Sequence, residues 1–433
     1  MNSPVKNPMP DPGHAVHADN PAPHAKVSLL DPKGRRLPRL PAPLKPLGAY
    51  LRRLTAGRMR FDLPNGHRLE ILGTRPGPTA SMQLSRWRVF PRAILRGDVG
   101  LGEAFMDRDW DSDDVAGVLY YFALNTVENG LQFTPKGPAG WALTLAHALR
   151  ANSLRRAPKN IAAHYDLGNA FYAAWLDPLM MYSSALFDGD TSDLATAQVR
   201  KADALIASVG IGPGDHVLEI GCGWGGFASH AARKTGCKVT AITLSPAQRD
   251  HALALVSAQG LTGQVTVLEQ DYRAVTGAFD HIISIEMIEA VGERYWPVYF
   301  NTVAALLKPG GAFGLQAITI RDDAFPEYRK TSDFLQTYIF PGGMLLPEQG
   351  MQTIARQAGL SPSTQIAFGP DYAATLAHWQ RRFDAAWPKI ATMGFDDRFN
   401  RMWRFYLSAC QAGFQSGLID VSQTVYHHTG PTA

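Results

Sequence analysis

A short apolar run that ends in a cluster of glycines constrains the fold of this chain most strongly. Residues 217–220 read Val-Leu-Glu-Ile, residues 221–226 read Gly-Cys-Gly-Trp-Gly-Gly, and a helical stretch covers residues 227–235. Glycines at such a strand-to-helix junction let the backbone turn sharply and approach a ligand closely. The pattern therefore predicts a ligand-binding loop after the first strand of an α/β domain.

Further apolar runs, separated by stretches long enough for helices, predict the rest of this domain. They cover residues 239–244, 265–268, 281–285 and 312–320. Strands that alternate with helices are joined by right-handed crossovers and form a parallel sheet. The sequence thus predicts the α/β fold class, with a doubly wound, Rossmann-like sheet in residues 161–433.

The chain before residue 161 is predicted to have three parts. Residues 1–46 contain eleven prolines, a composition typical of a disordered tail. Residues 47–137 predict a smaller α+β accessory domain, in which Asn65 and Gly66 interrupt an alternating stretch typical of a β-hairpin. Residues 138–160 predict a basic linker helix, which either lies on anionic lipid or is a solvated connection.

Basic residues are concentrated in the first part of the chain. Residues 1–160 carry 23 Lys and Arg against 13 Asp and Glu, whereas residues 161–433 carry 19 against 25. This asymmetry indicates a polyanionic partner, either nucleic acid or an anionic membrane surface. Nucleic-acid binding would call for aromatic residues among the basic ones, and Trp87 between Arg86 and Arg88 is the single example. We therefore expect a membrane surface and no nucleic acid.

The cysteines and the apolar segments limit the class of protein further. Cys222, Cys237 and Cys410 are too few for a disulfide framework, and no Cys/His cluster has the spacing of a zinc site. The first residues lack the pattern of a secretory signal, and no run of 18 apolar residues occurs. We expect a cytoplasmic protein without a metal, held peripherally on the inner face of the membrane.

The residues around the glycine loop discriminate between two kinds of cofactor. The loop at residues 221–226 satisfies the dinucleotide pattern G-x-G-x-x-G, but Thr243 stands where the second strand should end in an acid. Glu219 can instead pair with an ammonium group, and Asp271 and Tyr272 offer a polar edge and an aromatic face to an adenine. Together these residues favour S-adenosylmethionine over a nicotinamide or flavin.

Several motifs carry a resemblance to a known family. They are HYDLGN at residues 164–169, MYSSA at 181–185, LEIGCGWGG at 218–226, QDYR at 270–273, MIEAVG at 287–292, YIFPGG at 338–343 and YLSAC at 406–410. The chain resembles the cyclopropane-fatty-acyl-phospholipid synthases and the mycolic acid cyclopropane synthases, which are S-adenosylmethionine-dependent methyltransferases. Residues 100–107 and 109–111 are similar to the extra N-terminal domain of the full-length phospholipid enzymes, and this likeness is compatible with a homodimer.

The resemblance implies a set of cofactor contacts, to which the residue-based argument adds Asp271. In this sequence the implied contacts are Tyr182, Ser183, Glu219, Gly221, Gly223, Trp224, Gly225, Thr243, Gln248, Tyr272 and Arg273. Thr243 and Gln248 would contact the ribose, where other methyltransferases use an acid.

The reaction that the resemblance implies is methylation of an alkene in an unsaturated acyl chain of a membrane phospholipid. The resulting carbocation loses a proton from the added methyl group and closes a cyclopropane ring, whereas loss of a different proton leaves a methylene branch that a partner could reduce to a methyl branch. Such a site needs a dry channel, aromatic faces and a base. Candidate faces are Tyr338, Phe340, Tyr372, Trp379 and Phe383, although aromatic residues at this density usually pack a core.

For the base, the family holds a bicarbonate ion, so the resemblance implies bicarbonate as a second ligand. The corresponding positions are Ser184, Glu289, Gln316, Ile318 and Tyr372. Ser184 replaces a cysteine and Gln316 replaces a histidine that could carry the proton away, so methyl transfer has more support than ring closure. We expect the apolar surroundings of Glu289 to raise its pKa. Cys410 matches a cysteine proposed to act in catalysis, although a packing role is the alternative because no covalent adduct is needed.

Two other classes of function compete with lipid methylation. A methyltransferase for a soluble amine or another small molecule would share the same core, because fold alone does not determine function. The basic N-terminal region argues against this class, because a soluble substrate gives no reason for a surface that faces lipid. A non-catalytic membrane-binding or RNA-binding protein with a vestigial cofactor loop is the third alternative.

Overall fold

The computed structural model describes residues 24–130, 167–189 and 193–428, which form an N-terminal part and a larger C-terminal part. The linker helix predicted at residues 138–160 lies outside the described residues, as do residues 164–166 of the HYDLGN motif. Within the described residues, no helix combines the length and the apolar character that a membrane crossing requires.

The N-terminal part contains a six-stranded sheet in the order β2-β1-β4-β3-β5-β6. Its strands are β1 (Lys26–Leu30), β2 (Arg36–Leu37), β3 (Ala56–Asp62), β4 (Arg68–Leu72), β5 (Arg75–Leu84) and β6 (Trp110–Asp111). Strands β3 and β5 are parallel, and the other neighbours are antiparallel. The predicted hairpin is confirmed, because Asp62 pairs with Arg68 across the turn that contains Asn65 and Gly66.

Helices complete this part and connect its strands. They are α1 (Gly48–Arg52), α2 (Val89–Met106), which is kinked at Gly97, and α3 (Val115–Asn129). The prediction of a disordered tail through residue 46 is wrong from residue 26 onward. Strand β1 lies between β2 and β4 and buries Leu29, so pairing and burial offset the ordering entropy that the proline-rich composition suggested.

The C-terminal part contains an eight-stranded sheet in the order β13-β14-β11-β10-β7-β8-β9, with β12 also paired to β11. Its strands are β7 (His216–Ile220), β8 (Lys238–Thr243), β9 (Val265–Glu269), β10 (Phe279–Ile285), β11 (Leu307–Ile320), β12 (Leu346–Pro347), β13 (Leu360–Ala367) and β14 (Ile419–His428). Strands β7 to β11 are parallel, as predicted. The antiparallel pair β13 and β14, which extends the sheet beyond β11, was not predicted.

The helices described in the C-terminal part come before, between and after these strands. They are α4 (Asn169–Ala173), α5 (Leu194–Val209), α6 (Gly226–Thr235), α7 (Pro246–Ala258), α8 (Trp296–Leu306), α9 (Phe325–Tyr328), α10 (Phe334–Tyr338), α11 (Glu348–Gln357), α12 (Gly369–Ala391) and α13 (Asp397–Gln415). Helix α13 packs against α12 and also against α2 and α3, so one apolar core runs through both parts.

The order of the parallel strands determines where a ligand can bind. The chain runs outward from β7 through β8 to β9 on one side and from β10 to β11 on the other side. Ligands of doubly wound sheets bind outside the carboxyl ends of the strands at such a switch point. The glycine loop follows β7 and therefore lies at this position.

Candidate active site

The turn after β7 is shaped by its first glycine. Gly221 has a φ of 82°, and the amides of Gly221 and Cys222 donate hydrogen bonds of 3.0 and 2.9 Å to the carbonyl oxygen of Ile242 in β8. A Cβ at residue 221 would lie 2.7 Å from Cγ of Met287. Glycine is thus required both for the left-handed backbone and for the close approach of the chain after β10.

A cavity of about 150 Å³ opens beside this turn. Nine of the twelve residues predicted to contact the cofactor line it, namely Tyr182, Ser183, Glu219, Gly221, Gly223, Trp224, Thr243, Gln248 and Tyr272. They come from distant segments of the chain, and the fold brings them together at the carboxyl ends of β7 and β8. The side-chain hydroxyl of Thr243 donates to Oε1 of Gln248 at 2.8 Å, which orders the two groups predicted to contact the ribose.

The other three predicted cofactor residues, Gly225, Asp271 and Arg273, do not line the cavity. Gly225 precedes α6 with a φ of 85° and packs closely against Ala252 of α7. The carboxylate of Asp271 pairs with Arg273, whose Nη2 lies 2.6 Å from Oδ2, instead of facing a ligand. Since the Arg273 guanidinium also lies 5.3 Å from the ring centroid of Tyr272, this ion pair supports the ring that does line the cavity.

Two ionisable side chains, a carboxyl and an amine, are buried in the cavity wall. The exposed fraction is 3% for Glu219 and 1% for Lys201. Burial raises the pKa of Glu219 to about 8, although Lys201 opposes this shift. Burial lowers the pKa of Lys201 to about 8 against the attraction of Glu286, Asp177 and Glu219. Nζ of Lys201 donates to Oγ of Ser183 at 2.6 Å, whereas Oε2 of Glu219 has no hydrogen-bond partner among the described residues.

Tyr182 connects the cavity to a cluster of aromatic rings. Its ring centroid lies 5.3 Å from that of Trp379, and its hydroxyl oxygen lies 2.6 Å from that of Tyr406. Tyr406 in turn contacts Phe340, at 5.7 Å between centroids, and Trp379 contacts Tyr372 at 6.0 Å. Three of the five predicted aromatic faces therefore belong to this cluster.

The remaining two predicted faces lie elsewhere. Tyr338 donates its hydroxyl hydrogen to Oε1 of Glu103 in α2 at 2.7 Å, so it joins the two parts of the molecule. Phe383 packs against Phe171 and Trp403 within the core. Both rings therefore have packing partners of their own, which supports the core alternative, and their role as faces of the site stays a prediction.

A carboxylate that the sequence analysis did not single out lies at the centre of the predicted bicarbonate site. Oε1 of Glu286 accepts hydrogen bonds from the backbone amide of Ser184 and from Nε2 of Gln316, both at 2.8 Å. Oε2 accepts the hydroxyl hydrogen of Tyr372 at 2.6 Å. Burial raises the pKa of Glu286, although its hydrogen bonds and Lys201 oppose the shift.

Glu289 lies beside Glu286 and takes the remaining predicted donor. Its Oε1 accepts from the backbone amide of Ile318 at 2.6 Å, and its Oε2 has no hydrogen-bond partner among the described residues. Burial, together with repulsion from Glu286, raises the pKa of Glu289 to about 8. The expected direction of this shift agrees with the structure. The groups of Ser184, Gln316, Ile318 and Tyr372 that were predicted to bind bicarbonate are thus engaged by Glu286 and Glu289.

Cys410 lies in α13 and is partly buried. Burial, with Asp333 and Glu286 nearby, raises the pKa of its thiol above the usual range. A neutral thiol is a poor nucleophile. Cys410 also packs against the apolar core that joins both parts, and this packing, together with the raised pKa, supports the packing alternative for this residue.

Sequence reasoning missed Lys201 and Glu286. Lys201 lies on the buried face of α5 with Ala197, Ala202 and Leu205, and a lysine within an apolar helical stripe was an available signal. Glu286 directly follows the apolar strand β10, three residues before Glu289. A second acid at the carboxyl end of a buried strand was also visible in the sequence.

The fold and the cavity together define a class of enzyme. A glycine turn after the first strand of a doubly wound sheet, with an unpartnered buried carboxylate oxygen at the cavity, fits a ligand that carries a positive charge. These features define an S-adenosylmethionine-dependent methyltransferase, and that compound supplies a methyl group on a positively charged sulfur. The sequence model of the mycolic acid cyclopropane synthetase family matches residues 152–424, and the chain belongs to this family.

Individual relatives agree with this assignment. The chain is 39% identical over 364 residues to tuberculostearic acid methyltransferase UfaA1 of Mycobacterium tuberculosis, covering 81% of this chain and 84% of that protein. It is 34% identical over 371 residues to cyclopropane-fatty-acyl-phospholipid synthase of Escherichia coli, covering 85% of this chain and 92% of the relative. The crystal structure of mycolic acid cyclopropane synthase CmaA1 complexed with SAH and CTAB matches with a TM-score of 0.58 and 30% identity, over 62% of this chain and 97% of that structure.

Proposed function

We propose that this enzyme transfers the methyl group of S-adenosylmethionine to the double bond of an unsaturated acyl chain in a membrane phospholipid, with a cyclopropane ring as the product. The observation that carries the proposal is the pair of buried carboxylates, Glu286 and Glu289, in a site bordered by the aromatic cluster around Tyr182. An alkene supplies its own electron pair to the methyl group, so it requires a base and aromatic faces but no nucleophilic side chain.

Two further observations support a phospholipid in particular. The Escherichia coli relative is named for a fatty-acyl phospholipid, and it aligns with both parts of this chain, since 85% of the chain is covered. The excess of basic residues in residues 1–160 suits an anionic surface. The proposal therefore includes peripheral binding of a cytoplasmic enzyme to the inner face of the membrane.

A second product is supported by specific observations. The relative with 39% identity is named for tuberculostearic acid and not for a cyclopropane. Gln316 stands where the resemblance implies a proton-carrying histidine, and its Nε2 is committed to Glu286. A hydride shift from the methylated carbon to the cationic carbon, followed by loss of a proton from the added methyl group, would then yield a methylene branch instead of a ring.

The proposal is tested with vesicles of unsaturated phospholipid and S-adenosylmethionine that carries a labelled methyl group. We expect label in the acyl chains, and we expect binding to anionic vesicles to weaken as salt is raised. Proton NMR of the hydrolysed acids then separates the products, because only a cyclopropane gives high-field ring protons. Label in a soluble amine, with none in phospholipids or free fatty acids, would show that the lipid assignment is wrong.

A further inference from the structure

We propose that Glu286 is the base of this enzyme, accepting on its own carboxylate the proton that the methylated lipid cation loses. The inference rests on the proposed function, since it concerns the second half of the same reaction. It replaces the bicarbonate ion that the family resemblance implied with a side chain of this chain.

The first argument is the convergence of donors on one carboxylate. Ser184 lies in the loop before α5, Gln316 in β11 and Tyr372 in α12, and all three donate to Glu286 within 2.6 to 2.8 Å. Gln316 is itself held by Nε2 of Gln423 in β14, which donates to its Oε1 at 3.0 Å. Three donors from separate segments of the chain thus hold this carboxylate, and Gln423 orients one of them.

The second argument is the backbone of Glu286. Its φ is 51°, a left-handed value that it shares only with Arg108 and Met180 among the described residues other than glycine. Its backbone amide donates to the carbonyl oxygen of Gln316 at 2.8 Å, which holds the residue in this conformation. Strained residues of this kind persist where their surroundings fix them, and they are concentrated at functional sites.

The third argument is location. Glu286 lines the same cavity as Glu219 and the glycine turn. Asp177 is also a buried carboxylate, but it does not line the cavity, and the backbone amides of Leu179 and Met181 donate to it. Nearby charges are balanced around it: Lys201 attracts it, and Glu289 repels it. Burial raises the pKa of Glu286 and makes its ionised form a stronger base than an exposed carboxylate.

The proton balance of the step is simple. The alkene electrons form the new bond to the methyl carbon, and the carbon–sulfur bond breaks toward sulfur. A carbon–hydrogen bond of the lipid cation then breaks, its electron pair closes the ring or forms a new double bond, and the proton goes to Oε2 of Glu286. Among the described residues Oε2 accepts only the Tyr372 hydroxyl hydrogen, whereas Oε1 accepts two hydrogens, so Oε2 is the oxygen with a lone pair to spare.

The decisive variant is Glu286→Gly, compared with Glu286→Gln. Glycine accepts the left-handed backbone without strain and leaves the three donors without their carboxylate, so an external bicarbonate or formate ion can take its place. Glutamine fills the space and cannot accept the proton as a carboxylate does. Each variant is first titrated with S-adenosylmethionine in a calorimeter to show that the cofactor cavity is intact.

We expect the turnover of the unaltered enzyme to be the same in carbon dioxide-free buffer and with added bicarbonate. Glu286→Gly should lose about 100-fold in turnover in carbon dioxide-free buffer and regain at least about tenfold with bicarbonate or formate, whereas Glu286→Gln should lose a similar amount without rescue. Independently of turnover, bicarbonate should raise the thermal midpoint of Glu286→Gly and leave that of Glu286→Gln unchanged.

The inference is overturned if the unaltered enzyme loses turnover in carbon dioxide-free buffer. It is likewise overturned if the turnover of Glu286→Gln stays within about tenfold of the turnover of the unaltered enzyme. It is also overturned if bicarbonate stabilises the unaltered protein as much as Glu286→Gly. An unaltered enzyme that methylates no lipid under any condition would overturn the proposed function instead. The thermal midpoints would still report whether the Ser184, Gln316 and Tyr372 donors accept an external anion.

Discussion

At the scale of single residues, the site is a group of carboxylates held away from water. Glu219, Glu286 and Glu289 all have raised pKa values because of burial, with Lys201 as a buried counter-charge. Burial of a charge is unfavourable unless it is paired and hydrogen-bonded. Two of the carboxylate oxygens, Oε2 of Glu219 and Oε2 of Glu289, lack a partner among the described residues. The protein therefore tolerates an electrostatic cost where a cationic ligand and a lipid cation would lie.

The raised pKa of Glu219 predicts that cofactor binding releases protons. Near pH 7 this carboxyl, with a pKa of about 8, is mostly neutral in the free protein. A cationic ligand favours the ionised form, so binding at pH 7 should release close to one proton, and affinity should increase from pH 6 to pH 8. Titration calorimetry in buffers of different ionisation enthalpy measures the release. Glu219→Gln should abolish most of it and weaken binding by about 10- to 100-fold. Proton uptake on binding would contradict this account.

The raised pKa of Glu289 predicts a pH-dependent cost in stability. Between its unfolded pKa of about 4.5 and its folded pKa of about 8, the folded state holds the proton more tightly, so the free energy of unfolding falls as pH rises. Relative to Glu289→Gln, the unaltered protein should lose up to about 1.4 kcal/mol per pH unit in this window, as followed by urea unfolding from pH 5 to pH 8. The same variant should lower turnover, and bicarbonate should not restore it.

The matched control is Glu327→Gln, which removes an exposed carboxylate paired with Lys330. Exposed ion pairs contribute little to stability. The difference in the free energy of unfolding between Glu327→Gln and the unaltered protein should therefore stay nearly constant with pH. If both variants show the same pH dependence, burial of Glu289 is not its cause.

At the scale of elements, the turn from β7 into α6 joins backbone conformation to ligand binding. Gly221 combines a left-handed φ with a close approach to Met287, whereas Gly236, at the far end of α6, has a φ of 78° and open space around its missing Cβ. Both positions would strain an alanine, but only the first lies at the cavity.

Gly221→Ala and Gly236→Ala should therefore separate stability from binding. Each should lower the free energy of unfolding by about 1–2 kcal/mol through backbone strain. Gly221→Ala alone should also weaken S-adenosylmethionine binding, because its Cβ would displace Met287 at the cavity wall. Calorimetry and urea unfolding measure the two effects. Equal affinities in the two variants would show that the turn does not shape the cofactor site.

At the scale of the whole molecule, α13 joins the N-terminal part to the catalytic part. The guanidinium of Arg401, 5% exposed, lies 3.8 Å from the ring centroid of Phe105. It donates to the carbonyl oxygens of Phe105 and Trp110 at 2.5 and 3.0 Å, and to Oδ2 of Asp111 at 2.9 Å. Since α13 also carries Tyr406 and Cys410, the N-terminal part supports the helix that borders the site.

Arg401→Lys should disrupt this junction, because an ammonium group cannot reproduce a planar guanidinium that stacks and donates in three directions. We expect a loss of about 2–4 kcal/mol in the free energy of unfolding. The control is Arg108→Lys. Arg108 forms an exposed ion pair with Asp397, which lies on α13 as Arg401 does, so this change should lower the free energy of unfolding by less than about 1 kcal/mol. Urea unfolding compares the two variants, and equal losses would contradict the role of Arg401.

Local patterns in the sequence predicted a large part of the fold. The apolar runs of β7 to β11 and the glycines after β7 signal their structure within a few residues, because strand burial and left-handed turns depend on nearby side chains. For the same reason the hairpin at Asn65 and Gly66 was predictable. The pairing of β13 with β14, and of β1 with β4, depends on partners far along the chain, so no local pattern revealed it.

The candidate site divides in the same way. Glu219, the glycines of the turn and Tyr272 were predicted because they lie at consecutive strand ends, which meet at one edge of a parallel sheet. The other contacts, among them Tyr182, Ser183 and Gln248, were implied only by the family resemblance. The position of Glu286 among Ser184, Gln316 and Tyr372 was decided only by the tertiary structure, since those donors come from separate segments of the chain. The sequence by itself determined the methyltransferase sheet and its cofactor loop. Long-range packing determined which carboxylate the donors hold, because hydrogen-bond geometry depends on distances between elements that sequence spacing does not encode.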